Sequence, residues 1–188
     1  MANIAVVVGS LRAESFNRQL AEALARLPAA QGHRFAFLQI GDLPLYNQDD
    51  DASPPEQAVR LKREIRAADG VLFVTPEYNR SIPGVLKNAI DHASRPYGDS
   101  AWAGKPAGVI GVSIGAAGTA MAQQHLRNVL AYLDMPTLGQ PEAFIQWTDG
   151  LVEGGEIGEA SRDFLDGWME GFVRLVQAST ARYGAFPA

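Results

Sequence analysis

The chain has 188 residues, 47% of them apolar and 20% charged, the length and balance of one soluble domain (1–188) able to bury its own core. It has no cysteine, which excludes disulfides, thiolate zinc sites, Cys-ligated iron–sulfur clusters and a cysteine nucleophile. The formal charge is −5 and no basic run stands out, so nucleic acid is not an expected partner. Met1-Ala2-Asn3 runs straight into an apolar stretch with no basic leader, and no apolar stretch reaches bilayer length. The expected location is therefore the cytoplasm, with no membrane partner.

In chain order, residues 4–8 form a continuous apolar run and predict a strand. Leu20, Leu24 and Leu27 then share a helical face. Residues 34–40 predict a less pure strand, and a long loop follows over 41–55. That loop carries Asp49-Asp50-Asp51 without calcium-loop spacing, so it reads as solvated rather than metal-binding. Leu61, Ile65 and Ala68 mark a second helix. Residues 71–75 predict another buried strand. Leu86, Ala89, Ile90 and Ala93 mark a third helix, and a second long loop spans 95–105. Residues 107–113 predict a strand. Leu126, Val129, Leu130 and Leu133 form a fourth stripe. Phe164, Trp168, Leu175 and Val176 form a fifth, after a glycine-rich stretch over 150–158 that reads as a mobile connection. Runs that are apolar throughout, rather than alternating, predict strands covered on both faces. Strand–helix alternation from end to end predicts a doubly wound α/β parallel sheet with helices on both faces.

The turn Gly9-Ser10-Leu11-Arg12-Ala13-Glu14-Ser15-Phe16-Asn17 joins the first strand to the first helix. A helix N-terminus exposes unpaired N–H groups and a partial positive charge, both of which favour an anion. Ser10, Ser15 and Asn17 can add hydrogen bonds, and Arg12 a charge-assisted one. No Gly-Lys-Ser/Thr closes the turn, and Gly-x-Gly-x-x-Gly is missing, so it suits a terminal monophosphate better than a triphosphate or a dinucleotide. An ordinary strand-to-helix turn with Ser15 as N-cap accounts for much of the same sequence.

The second turn is Pro76-Glu77-Tyr78-Asn79-Arg80-Ser81-Ile82-Pro83-Gly84. Pro76 ends the strand, Ser81 is the expected N-cap of the next helix, and Pro83 fits its first turn. A capped turn explains Ser81 and Pro83. It explains Glu77, Tyr78 and Asn79 less well. Both turns lie at the carboxyl ends of strands, where open α/β sheets bind ligands. One would hold a phosphate. The other would face a planar ring through the backbone amides of 77–79, with Tyr78 stacking or donating.

These two motifs resemble the NADPH-dependent FMN reductase family, which includes bacterial quinone and chromate reductases and azoreductases. The resemblance rests on Gly9-Ser10-Leu11-Arg12 with Ser15 and Asn17. It rests further on Pro76-Glu77-Tyr78-Asn79, Ser81, Pro83-Gly84 and Leu86-Lys87-Asn88-Ala89-Ile90-Asp91. A third region with Ser113, Gly115, Gly118 and His125-Leu126-Arg127 matches in outline, so the resemblance covers about residues 4–145. It implies a flavodoxin-like five-stranded sheet, non-covalent FMN, NAD(P)H as co-substrate, and quinones, azo dyes, flavins or chromate as acceptors. It also implies a homodimer or homotetramer. By the same resemblance Ser10, Arg12, Ser15 and Asn17 hold the phosphate. Pro76, Glu77, Tyr78, Asn79 and Ser81 contact the isoalloxazine, and Ser113 and Gly115 flank its other side. His92 and Thr119-Ala120 depart from the family pattern, which has a common tryptophan and a further glycine there.

Since a flavin carries hydride chemistry itself, no nucleophile–base pair is expected. The scattered histidines His33, His92 and His125 read as structural or solvent-facing, and no metal is expected. An electron carrier of flavodoxin type and a non-catalytic FMN-binding module are the rival readings.

Overall fold

Alternation within the apolar runs decides the architecture. In strand β1 (Asn3–Val8), Ile4, Val6 and Val8 pack into one buried cluster while Ala5 and Val7 pack into another. Strand β3 (Gly70–Val74) divides likewise, with Leu72 and Val74 on one side and Val71 and Phe73 on the other. Each strand therefore needs helices on both faces. The computed structural model describes residues 1–183, with side chains to 179. On the first face lie α1 (Phe16–Leu24), through Leu20 and Leu24, and α5 (Glu159–Tyr183), through Trp168 and Phe172. On the second lie α2 (Glu56–Arg66), α3 (Gly84–Ala93) and α4 (Ala120–Tyr132), through Leu61, Ile65, Leu86, Ile90, Leu126 and Leu130.

The sheet is parallel throughout and ordered β2-β1-β3-β4-β5, with β2 at Arg34–Phe37, β4 at Ala107–Ser113 and β5 at Phe144–Gln146. This is the flavodoxin-like order. Its switch point lies between β1 and β3, where the chain leaves on opposite sides of the sheet. Val8 pairs with Val74 at the end of the ladder, and the Gly9 N–H continues it onto the Val74 carbonyl at 2.9 Å. The first two turns are thus neighbours by register.

Several local expectations are corrected. Strand β2 stops at Phe37, and as an edge strand it alternates exposed and half-buried residues rather than being covered twice. The buried face of α5 is Leu165, Trp168, Met169, Phe172, Val173 and Val176, whereas Phe164 lies 47% exposed. The glycine-rich stretch is an ordered hairpin, β6 (Val152–Glu153) against β7 (Glu156–Ile157). Its turn is Gly154-Gly155, both at positive φ, which suits a two-residue hairpin loop. Arg26 of the segment after α1 donates to the Gly155 carbonyl at 2.9 Å and holds the hairpin in place. Helix α3 begins at Gly84, with Pro83 as N-cap: the Pro83 carbonyl accepts from Leu86 and Lys87 N–H at 3.1 Å each. Ser81 is therefore not the cap, and its hydroxyl is free for another partner.

Candidate active site

Turn 9–15 is shaped by one close approach. A Cβ on Gly9 would sit 3.2 Å from Leu86 Cδ2 and from Thr75 Oγ1, and 3.3 Å from Pro76 Cδ. A side chain at this position would require Leu86, Thr75 and Pro76 to give way by a few tenths of an ångström. Ser15 then caps α1, its Oγ accepting from Arg18 N–H at 3.2 Å. No acidic side chain occupies the first turn of α1, so the positive end of its dipole is not neutralised from within.

The Arg12 guanidinium makes no ion pair among the described residues and lies exposed, its Cζ 5.5 Å above the Phe16 ring. Phe16 in turn stacks on Trp147, with centroids 4.2 Å apart and planes at 18°. Trp147 directly follows β5, and its N–H donates to the Ser113 carbonyl at 2.8 Å. A continuous path of contacts therefore runs from Arg12 to the third loop. Asn17 sits elsewhere than expected. It is buried, and its amide clasps β4 from both ends, Nδ2 donating to the Val112 carbonyl at 2.9 Å and Oδ1 accepting from Val112 N–H at 3.0 Å. Its backbone N–H lies in the first turn of α1.

Turn 76–83 is closed by its own backbone hydrogen bonds. Tyr78 and Ser81 exchange two N–H···O bonds of 3.0 Å each, and the residues between them, Asn79 and Arg80, stand at φ of 52° and 62°. Two successive left-handed residues make a type I′ turn, favourable for Asn and strained for Arg. Pro76 is buried, Tyr78 is 48% exposed, and Asn79 and Arg80 are exposed at the tip. Glu77 points away, its Oε2 accepting from Ala122 N–H at 3.1 Å and so capping α4 from outside. That cap matters because the N-cap residue of α4, Thr119, makes no side-chain cap bond of its own. Ser81 Oγ lies 2.9 Å from His125 Nδ1 on α4.

The third loop follows β4. A Cβ on Gly111 would stand 2.1 Å from the Thr75 carbonyl oxygen, so β4 can approach the end of β3 only without a side chain there. Ser113 Oγ donates to the Gly115 carbonyl at 3.1 Å, and Gln146 Nε2 to Ile114 at 3.1 Å. Gly115 and its neighbours are exposed. His92, at one departure from the family pattern, is buried. Its Nε2 donates to the Pro44 carbonyl at 2.9 Å, beside Asn88, which bonds Pro44 and Tyr46. It acts on the 41–55 loop at the rim of the sheet edge.

The three turns lie at one edge, at the switch point. The residues fit a monophosphate carried by a flat ring: an open helix N-terminus with an unpaired arginine, beside a prebuilt hairpin. Phe16 and Trp147 are the residues that sequence reasoning missed. Trp147 lies 135 positions from Arg12, and only the β4–β5 pairing brings it there.

This is a flavodoxin-like fold carrying a ligand site at the carboxyl edge of its sheet. Residues 2–149 match the NADPH-dependent FMN reductase family. The chain is 53% identical over 176 residues to a 2-hydroxy-1,4-benzoquinone reductase of Burkholderia sp, covering 93% of this chain and 96% of that protein. It is 50% identical to a quinone reductase of Pseudomonas putida, covering 95% and 97%. Among solved structures, FerB, a flavoenzyme NAD(P)H:(acceptor) oxidoreductase of Paracoccus denitrificans, superposes with a TM-score of 0.91 at 45% identity, covering 95% and 99%. The chain belongs to the NADPH-dependent FMN reductase family. It is accordingly an NAD(P)H-dependent oxidoreductase with FMN as cofactor.

Proposed function

We propose that the chain, acting as one domain, reduces quinones with NAD(P)H. The observation that carries this reading is the pairing of an acid-free helix N-terminus and unpaired Arg12 with the type I′ hairpin at the switch point. The relatives named for quinone reduction support the acceptor class. Ser10, Arg12 and Ser15 hold the phosphate, joined by the backbone N–H of Asn17. Pro76, Glu77, Tyr78, Asn79 and Ser81 contact the isoalloxazine, Glu77 through its backbone because its carboxylate caps α4. Ser113 and Gly115 line the opposite side. The flavin, once bound, supplies hydride acceptance and release. The protein's part is to bind it, orient it and leave one side open to two substrates in turn. An exposed rim that includes Tyr78 and Ile114 suits flat, apolar acceptors, and azo dyes, free flavins and chromate extend the same reading. A homodimer or homotetramer in the cytoplasm completes it.

Anaerobic stopped-flow mixing of the yellow holoenzyme with NADPH or NADH tests this directly. Bleaching of the flavin absorbance followed by quinone-driven recovery is expected. Flavin that stays oxidised in the presence of either nucleotide contradicts a reductase.

A further inference from the structure

A threonine at the N-cap of a helix ordinarily turns its hydroxyl onto the N–H groups of the first turn. Thr119 stands at that position of α4 and does something else. It is fully buried at φ 69° and ψ 21° and makes no side-chain cap bond, and Glu77 of the hairpin caps α4 in its place. This left-handed region is open to glycine, which the family pattern often has here, and unfavourable for a β-branched residue.

The hydroxyl is engaged inside the protein. Gln123 Nε2, one turn along α4, donates to Thr119 Oγ1 at 3.0 Å and to the Ala143 carbonyl ahead of β5 at 2.8 Å. A Cβ on Gly111 of β4 would stand 2.5 Å from the same hydroxyl oxygen, so α4, β4 and the approach to β5 all close on it. Gln123 is itself fully buried, and its Oε1 has no partner among the described residues. Two unfavourable features, a left-handed threonine and an orphaned amide oxygen, thus meet at one point. Such features persist where the surroundings hold them, and they cluster at functional sites.

This point is one end of the third loop. Gly118, one residue earlier, presses the loop onto β5, where a Cβ would stand 2.5 Å from the Phe144 carbonyl carbon. The other end is Ser113, whose carbonyl accepts from Trp147 N–H and so joins the Phe16 stack of the first turn. Between the two fixed ends, Ile114 to Ala117 are exposed. We propose that Thr119, held by Gln123, is a positioning residue for the isoalloxazine: it sets how closely the third loop stands against the ring. The inference rests on the reading that Ser113 and Gly115 line the side of the ring opposite the hairpin. The ring's orientation then depends on a buried hydroxyl that touches neither flavin nor acceptor.

The test titrates the flavin-free full-length chain with FMN and with riboflavin, and records the visible circular dichroism of the bound flavin. Thr119→Gly removes the hydroxyl and relieves the backbone. It is expected to weaken both ligands alike, roughly fivefold, the scale of one lost hydrogen bond, and to alter the dichroism bands. Thr119→Ser, which keeps the hydroxyl, is expected to restore both. Gln123→Met removes the same bond from the other side and is expected to reproduce Thr119→Gly. Weakening confined to FMN overturns the proposal, because it places the effect at the phosphate. Gly115→Val separates the proposal from the reading beneath it. If Gly115→Val alters binding and dichroism while Thr119→Gly and Gln123→Met behave as wild type, the positioning role is overturned and the loop still lines the ring. If Gly115→Val is also without effect, the loop does not line the ring and both fall. None of these titrations uses NADPH, so their outcome is separate from the bleaching experiment.

Discussion

The first turn and the hairpin lie side by side at the sheet edge and are built in opposite ways. The first turn leaves its donors open: Arg12 has no carboxylate partner among the described residues, and the first turn of α1 carries no acid. The hairpin satisfies itself, with Tyr78 and Ser81 paired twice, Glu77 on α4 and Ser81 on His125. A ligand has to complete the first. The second stands ready without one. Anchoring and shaping are thus divided between neighbouring loops, and substitutions in the two should fail differently.

The largest difference is expected at Arg12. Losing a charge-assisted hydrogen bond costs about 1.5–3 kcal/mol, so Arg12→Ala should weaken FMN binding roughly 10–100-fold. Glu14→Ala should leave it nearly unchanged, as measured by quenching of flavin fluorescence. Equal affinities in the two variants break the distinction. At the hairpin the effect should fall on folding instead. Arg80→Val places a β-branched residue at φ 62° and should cost about 1–2 kcal/mol in urea denaturation, while Arg80→Gly should be tolerated. Between these lies Trp147→Ala, which removes the aromatic stack under Arg12. An aromatic pair worth about 1 kcal/mol predicts roughly a fivefold loss of FMN affinity, read by the same titration.

The smallest effect lies outside both turns. Hydrogen bonding and charge from Arg60 hold the Asp42 carboxyl below the usual carboxylate range, against its partial burial, and Lys62 followed by Arg66 does the same for Asp99. A lowered folded-state value means stability that is present above the unfolded carboxylate pKa of about 4 and is lost as pH falls through the folded value. Melting temperature should therefore stay level from neutrality to about pH 5 and drop below about pH 4. Asp42→Asn should flatten part of that drop.

What the sequence made legible follows from where the physics is local. Unbroken apolar runs at 4–8 and 71–75 showed that helices cover both faces, because alternation is absent when neither face meets water. Ser15 announced the start of α1. Ser81 did not announce α3, because a type I′ turn at Asn79-Arg80 needs positive φ at a non-glycine, and propensity gives no hint of it. Asn17 looked like a ligand donor, and its burial against Val112 depends on a strand 95 residues away. Trp147 and the 152–157 hairpin were invisible for the same reason: their partners, Phe16 and Arg26, are fixed only by tertiary packing.

The most direct measurement is a paired titration of the flavin-free protein with FMN and with riboflavin, which lacks the phosphate. If the first turn anchors a monophosphate, FMN should bind at least about a hundredfold more tightly, and most of that gap should close in Arg12→Ala. Riboflavin binding as tightly as FMN would contradict a phosphate anchor at Ser10–Asn17.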